Sequence, residues 1–254
     1  MATGRGVQPM ICCWSAKGGS GTSVVAAALS VAAARRPPGS LLVDLCGDQP
    51  AMLGLRQPEG PGVLDWLADG VNAPPDALAR LEIDVIPGLR LLAAGSADDP
   101  NPDPNPNPGT AADNDRDGRG GRHNRDRDRR DQARLLATLL GSERRQVVVD
   151  AGRIDGWSES GARVLAASAS VSLLVVRPCY LALRRVVASR VRPTAVVVVT
   201  EPWRALTSAD VADVVGAPVV AEIAVEGSVA RSVDAGLLAT RLPRLLDRAL
   251  REVG

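Results

Sequence analysis

Short, almost purely apolar runs recur along the chain, separated by Ala- and Leu-rich stretches in which the apolar positions fall at helical spacing. The runs PMICCWSA, SLLVDL (40–45), LRLLAAG (89–95), RQVVVDAG (145–152), VSLLVVRP, TAVVVVTEP and APVVAEIAV predict strands. Helices are predicted over about 22–34, 159–168, 181–189, 228–235 and 243–253, and in DQARLLATLLG and SADVADVVG. The segments GPGVLDWLADG and PDALARLE read as two short helices. A strand that is apolar at successive positions, rather than alternate ones, is buried on both faces. Strands that interleave with helices build right-handed βαβ units. The predicted fold class is therefore α/β, a doubly wound, mostly parallel sheet with helices on both faces. Ligands in such sheets bind beyond the carboxyl ends of the strands, so residues that follow strands carry the most information.

Residues 98–131 break the pattern. They contain Asn-Pro repeats followed by mixed Asp and Arg, with almost no apolar side chains to offset the entropy of ordering. This segment reads as a low-complexity, disordered insertion, and residues 1–97 and 132–254 as one domain around it. A tether or partner-contact loop is the functional alternative. Its base follows the strand that ends at Gly95, and so is expected near the carboxyl edge of the sheet.

Composition narrows the chemistry. The 254 residues carry a net charge of +1, with 30 Lys and Arg against 29 Asp and Glu. All the basic residues except Lys17 are arginine. Near-neutral charge does not support a nucleic-acid binder, and few aromatic rings leave little for base stacking. The single histidine, His123, lies in the insertion, which excludes multi-histidine metal sites. Cys12, Cys13, Cys46 and Cys179 show no CxxC spacing and read as small buried apolar groups. No signal-like region opens the sequence, and no apolar run approaches the ~20 residues of a spanning helix. A cytoplasmic protein is expected.

The first strand runs into KGGSGTS (17–23) and then into a helix. Glycines there allow a tight turn that presents several N–H groups to an anion, and the following helix adds its positive end. The ordinary phosphate loop GxxxxGK[ST] is not satisfied: Ala16 occupies the first glycine position and Thr22 the lysine position. The loop instead resembles the deviant P-loop, KGGxGK[ST], of the ParA/MinD ATPases, keeping Lys17, Gly18, Gly19, Gly21 and Ser23 and departing at Thr22. LLVDLCGDQPAMLGL resembles that family's second motif, with Asp44 at the first aspartate and Cys46 in place of the second. VVVDAG resembles the Walker B strand, with Asp150 toward the metal. VVRPCYLALRR and VDAGLLATRLPR resemble MinD-like relatives of the CpaE/TadZ type. The resemblance covers nearly the whole chain except the insertion.

The resemblance implies ATP and Mg²⁺ as cofactors, bound by Lys17, Gly18, Gly19, Ser20, Gly21, Thr22 and Ser23, with Ser23, Asp44 and Asp150 around the metal. Lys17 and Asp44 are the implied catalytic residues, Lys17 acting in trans across an ATP-dependent homodimer. The implied role is a switch that positions a cargo, such as a chromosome or plasmid, a division site or a pilus apparatus, through a protein adaptor. Non-specific DNA is a further implied partner that the charge does not support. Two departures weaken turnover. Thr22 removes a cation beside the β- and γ-phosphates, and Cys46 cannot act as the carboxylate that positions water. Arg153 and Asp48 are the nearby residues that could replace these two functions. Asp44, Asp150 and Ser23 also have a plainer reading, as caps that satisfy helix N–H groups, and Lys17 as a surface lysine before a turn.

The stripe Leu242, Leu245, Leu246, Ala249 and Leu250 predicts a final helix docked on the sheet; the alternative is a basic amphipathic membrane contact. Trp14 and Trp66 are expected in the core, and Trp157, Pro202 and Trp203 near the ligand edge. Two further function classes compete with the switch. One is a scaffold that kept the fold without binding or hydrolysing nucleotide. The other is an ATP-dependent metabolic enzyme of the related dethiobiotin-synthase or amidotransferase type, for which no second substrate motif is evident.

Overall fold

The computed structural model describes residues 8–68, 76–95, 119–154 and 159–253, with the backbone alone at 119–126 and 159–160. Eight strands form one sheet in the order β3-β4-β2-β5-β1-β6-β7-β8. They are β1 (Ile11–Ser15), β2 (Ser40–Asp44), β3 (Glu82–Ile86), β4 (Leu89–Leu92), β5 (Gln146–Arg153), β6 (Val171–Val176), β7 (Ala195–Thr200) and β8 (Val219–Ala224). All pairings are parallel except that of β3 with β4.

Strand β1 shows why the apolar runs are continuous. Met10, Cys12 and Trp14 pack into one core layer, while Ile11 and Cys13 pack into the layer on the opposite face. Cys12 and Cys13 are thus buried thiols of opposite faces, and both are free. Trp14 donates its indole N–H to Ser172 Oγ at 3.0 Å, which satisfies the one polar atom of that ring inside the core.

One face is covered by α1 (Thr22–Ala34), α2 (Gln49–Met52), α9 (Gly227–Asp234) and α10 (Arg244–Ala249). The other carries α3 (Val63–Ala68), α4 (Ala77–Arg80), α5 (Arg119–Gly141), α6 (Glu159–Ser168), α7 (Tyr180–Ser189) and α8 (Ser208–Val215). Helix α1 has Val25 to Leu29 buried as an unbroken run, because it lies across the sheet beneath α10 rather than at the surface. Helix α8 starts at a reciprocal capping box between Thr207 and Asp210 and stops at Gly216, φ 71°. The doubly wound, mostly parallel architecture expected from the sequence is the one observed.

Three elements differ from expectation. The helix expected through PDALARLE covers only Ala77–Arg80, and Glu82–Ile86 is an antiparallel edge strand. Its partner β4 follows across the Pro87-Gly88 turn, so tertiary pairing overrides a weak helical pattern. Helix α2 follows the second motif strand, where the apolar pattern predicts no helix. Helix α5 begins at Arg119, within the segment 98–131, and continues through the expected DQARLLATLLG. Ala133, Leu136, Ala137 and Leu140 give it a buried stripe at helical spacing. Residues 98–118 of that segment lie outside the described residues. The final helix is docked: Leu246 and Leu250 are buried in the core layer beside α1. Among the described residues no helix is long and apolar enough to cross a membrane.

Candidate functional site

The three motif segments meet at the carboxyl edge of the sheet. Strands β2, β5 and β1 are adjacent and parallel, and the register places Asp44 beside Asp150. The loop of residues 17–21 leaves β1 beside them and enters α1. Gly19 (φ 73°) and Gly21 (φ 90°) both lie in the left-handed region, which only glycine adopts without penalty. Ser20 Oγ closes the turn by donating to the Lys17 carbonyl at 2.7 Å. Among the described residues, no turn or loop bond uses the N–H groups of Gly18, Gly19, Ser20 or Gly21. Exposed glycines with unused N–H groups ahead of a helix of this length fit an anion such as a phosphate. Lys17 is half-buried at the start of the loop, Ser23 half-buried in the first turn of α1, and Thr22 buried between them.

Asp44 and Asp150 are fully buried. Asp44 Oδ1 accepts the N–H groups of Cys46 at 2.8 Å and Gly47 at 2.9 Å, and its Oδ2 that of Gln49 at 3.1 Å. Of these only the Gln49 N–H belongs to α2, whose N-cap is Asp48, so Asp44 binds the loop before the helix rather than capping it; a carboxylate has about four lone-pair sites and retains one. Asp150 Oδ2 accepts from Gln49 Nε2 at 2.7 Å, Oδ1 accepts the Gly152 N–H at 3.2 Å, and the Ser23 hydroxyl also donates to the carboxylate. Burial, together with the charge of Asp150, pushes Asp44 up to about 7 against its stabilising backbone bonds. Burial likewise raises Asp150, against the hydrogen bonds of Gln49, Ser23 and Gly152.

Gln49 is the site residue that motif reading missed. Besides Asp150, its Nε2 donates to the Ser23 carbonyl at 3.0 Å, tying the β2 loop to α1. Its Oε1 is buried without a partner. An orphaned amide oxygen beside two buried carboxylates suits a hard divalent cation, which takes oxygen ligands. Ligand atoms of Asp44, Cys46 and Asp150 lie within 4.8 Å of one another. Cys46 is the poor member of that set for Mg²⁺. Burial and the neighbouring acids Asp150, Asp44 and Asp48 hold its thiol far above the usual range, so it stays neutral. Its Sγ lies 3.7 Å from the Asp150 carbonyl and occupies the space that a side chain at Gly152 would need. Asp48 is exposed at the N-cap of α2 and makes no side-chain cap bond.

The fold as a whole has counterparts among solved structures. A ParA family ATPase from Chlorobium tepidum TLS matches with a TM-score of 0.65 at 17% identity, over 98% of this chain and 99% of that one. The septum site-determining protein MinD of Pyrococcus horikoshii OT3, complexed with Mg-ADP, matches with 0.68 at 16% identity, over 97% and 96%. Cyanothece apo McdA matches with 0.66 at 14% identity, over 98% and 100%. The fold is that of the ParA/MinD P-loop NTPases. No protein-family model and no curated protein matches the sequence. At these identities the likeness establishes architecture, and the residue roles rest on this chain's own geometry.

The tryptophans occupy different settings. Trp14 and Trp66 are core, as expected. Pro202 and Trp203 follow β7, and Trp203 is fully exposed with φ 70°. Trp157 lies outside the described residues.

Proposed function

We propose that the chain binds ATP and Mg²⁺ at this edge and acts as a nucleotide-dependent dimerisation switch, with slow or absent hydrolysis. The observation that carries the reading is the left-handed glycine loop set beside two adjoining buried carboxylates. Gly18, Gly19, Ser20 and Gly21 hold phosphate oxygens through their N–H groups, and the α1 N-terminus adds its dipole. Ser23, Asp44 and Asp150 hold the cation, with Gln49 orienting Asp150. The bound ion supplies charge neutralisation between the phosphates. Lys17, at the start of the loop, reaches a second copy of the chain rather than its own nucleotide. The neutral, wedged thiol of Cys46 neither accepts a proton from water nor orients it, which slows turnover; Asp48, uncommitted to its helix, is the acid available to that loop.

The cargo is reached through a protein adaptor. The solved structures with this fold include MinD bound to MinC from Aquifex aeolicus, and an McdA–ATP complex from Cyanothece. By that likeness the chain takes a protein partner once dimeric, in positioning a chromosome, plasmid, division site or pilus apparatus. The segment from 98 to 131, which follows β4 in the chain, modulates dimerisation or partner contact. A cytoplasmic location goes with this role.

Light scattering tests the reading. Wild type should shift from monomer to dimer mass on addition of ATP and Mg²⁺, and Lys17→Ala should remain monomeric while still binding nucleotide. A wild type that binds no ATP by calorimetry would return the chain to the scaffold reading.

A further inference from the structure

The loop lacks a cation at Thr22, which is buried, and the charge it omits is the one that phosphate binding uses most strongly. Strand β5 is built to bring a different cation to the same loop. Cys13 pairs with Asp150, but Ser15 pairs with Arg153, so β5 holds an extra residue and bulges. Bulges beside sites re-aim side chains. Gly152, at the bulge, takes φ 57°, and the Cys46 thiol fills the volume where a side chain would stand. The N–H of Ile154 then returns to the Ser15 carbonyl at 2.8 Å, locking the strand to the base of the loop. The residue delivered between these fixed points is Arg153. It is exposed at the end of an otherwise buried strand, and its Cδ lies 3.8 Å from the Cβ position of Gly18. The guanidinium is bonded directly to that Cδ and so is within reach of the loop, whose N–H groups no turn or loop bond uses.

We infer that Arg153 is a nucleotide-binding residue of this chain, contacting the terminal phosphates in cis and replacing the lysine absent at position 22. The inference rests on the ATP-binding reading. Arg153 comes to the phosphates from the neighbouring strand rather than from the loop. A guanidinium also presents two parallel N–H groups in one plane to phosphate oxygens, a fixed fork that the lysine ammonium lacks. Contact with the terminal phosphate would make Arg153 favour ATP over ADP.

Titration of fluorescent ATP and ADP analogues with Mg²⁺ tests this on wild type, Arg153→Ala, Arg153→Lys, Thr22→Lys and the Arg153→Ala/Thr22→Lys double variant, with melting curves for each. Arg153→Ala should weaken ATP at least about tenfold, the loss expected for a charged hydrogen bond. It should weaken ADP less, and the melting curves separate that loss from any change in the stability of the fold. Arg153→Lys should retain part of the affinity. Adding Thr22→Lys to Arg153→Ala should restore most of it, a rescue that a packing role would not give. ATP affinity within about twofold of wild type in Arg153→Ala, or a loss that Thr22→Lys fails to repair, overturns the inference and leaves the ATP-binding reading standing. A wild type that binds neither analogue overturns both.

Discussion

Two carboxylates forced together in a dry site set the chemistry at the scale of single residues. Asp44 has its ordinary value near 3.8 when unfolded and about 7 when folded, because burial and Asp150 disfavour its charge. The folded state therefore holds the proton more tightly than the unfolded chain. That stability is fully present below about pH 4 and is lost as the pH rises, levelling off above about 7. The amount is on the order of a few kcal/mol. Melting temperatures measured without divalent cations should fall across this window. At pH 8, Mg²⁺ with ATP should restore the loss in wild type. Asp150→Asn should flatten the pH slope, raise the unliganded melting temperature at pH 8 and abolish the gain from Mg²⁺; a wild-type profile flat between pH 4 and 7 would refute the charge argument. The aspartates were legible in the sequence because each directly follows an apolar run, Leu41–Val43 and Val147–Val149. Gln49 was not: glutamine carries no motif signal, and its role arises only when the β2 loop folds back onto α1 and Asp150.

At the scale of elements, the decisive local feature is the junction of β5 with the loop that follows β2. Gly152 combines a left-handed backbone with a steric limit, since a methyl group there would collide with Cys46 Sγ. Gly152→Ala should cost about 2 to 5 kcal/mol, from the unfavourable backbone conformation plus overpacking. Combining it with Cys46→Gly should recover the steric part and leave the backbone part, so a thermal or urea double-mutant cycle should show coupling. Strict additivity would mean the two groups do not press on each other. The elements themselves were read well where apolar runs are long and buried on both faces, as in β1, β2, β5, β6 and β7. They were read poorly at the sheet edge. Strand β3 is only partly buried along its length, so its pattern resembles that of a short helix, and only pairing with β4 decides it. The start of α5 was likewise hidden, because Arg and Asp give no apolar period. The described residues there show the support such a helix uses: Arg134 pairs with Asp131 at 2.8 Å, one turn away.

For the whole molecule, the two faces of the sheet are not equally covered. Among the described residues six helices pack over one, while the other relies on α1, two short helices and α10. Helix α10 therefore does more for the fold than its length suggests. It packs on α1 and β8, Leu246 and Leu250 enter the core layer, and Asp247 pairs with Arg35 of α1 at 2.8 Å. That pair is largely exposed and adds little, so the leucines supply the attachment. An amphipathic helix whose apolar stripe already faces the sheet has none left to place in a lipid interface. Leu246→Ala should cost about 3 kcal/mol, which for a chain of this size lowers the melting temperature by roughly 6–12 °C. Arg248→Ala and Arg251→Ala, on the solvent side, should change it little. Wild type should stay in the supernatant when sedimented with anionic vesicles, with or without ATP and Mg²⁺. Sedimentation with vesicles that vanished on removing residues 243–254 would show that the helix leaves the sheet, and nucleotide would then be coupled to membrane contact through the α1–α10 interface.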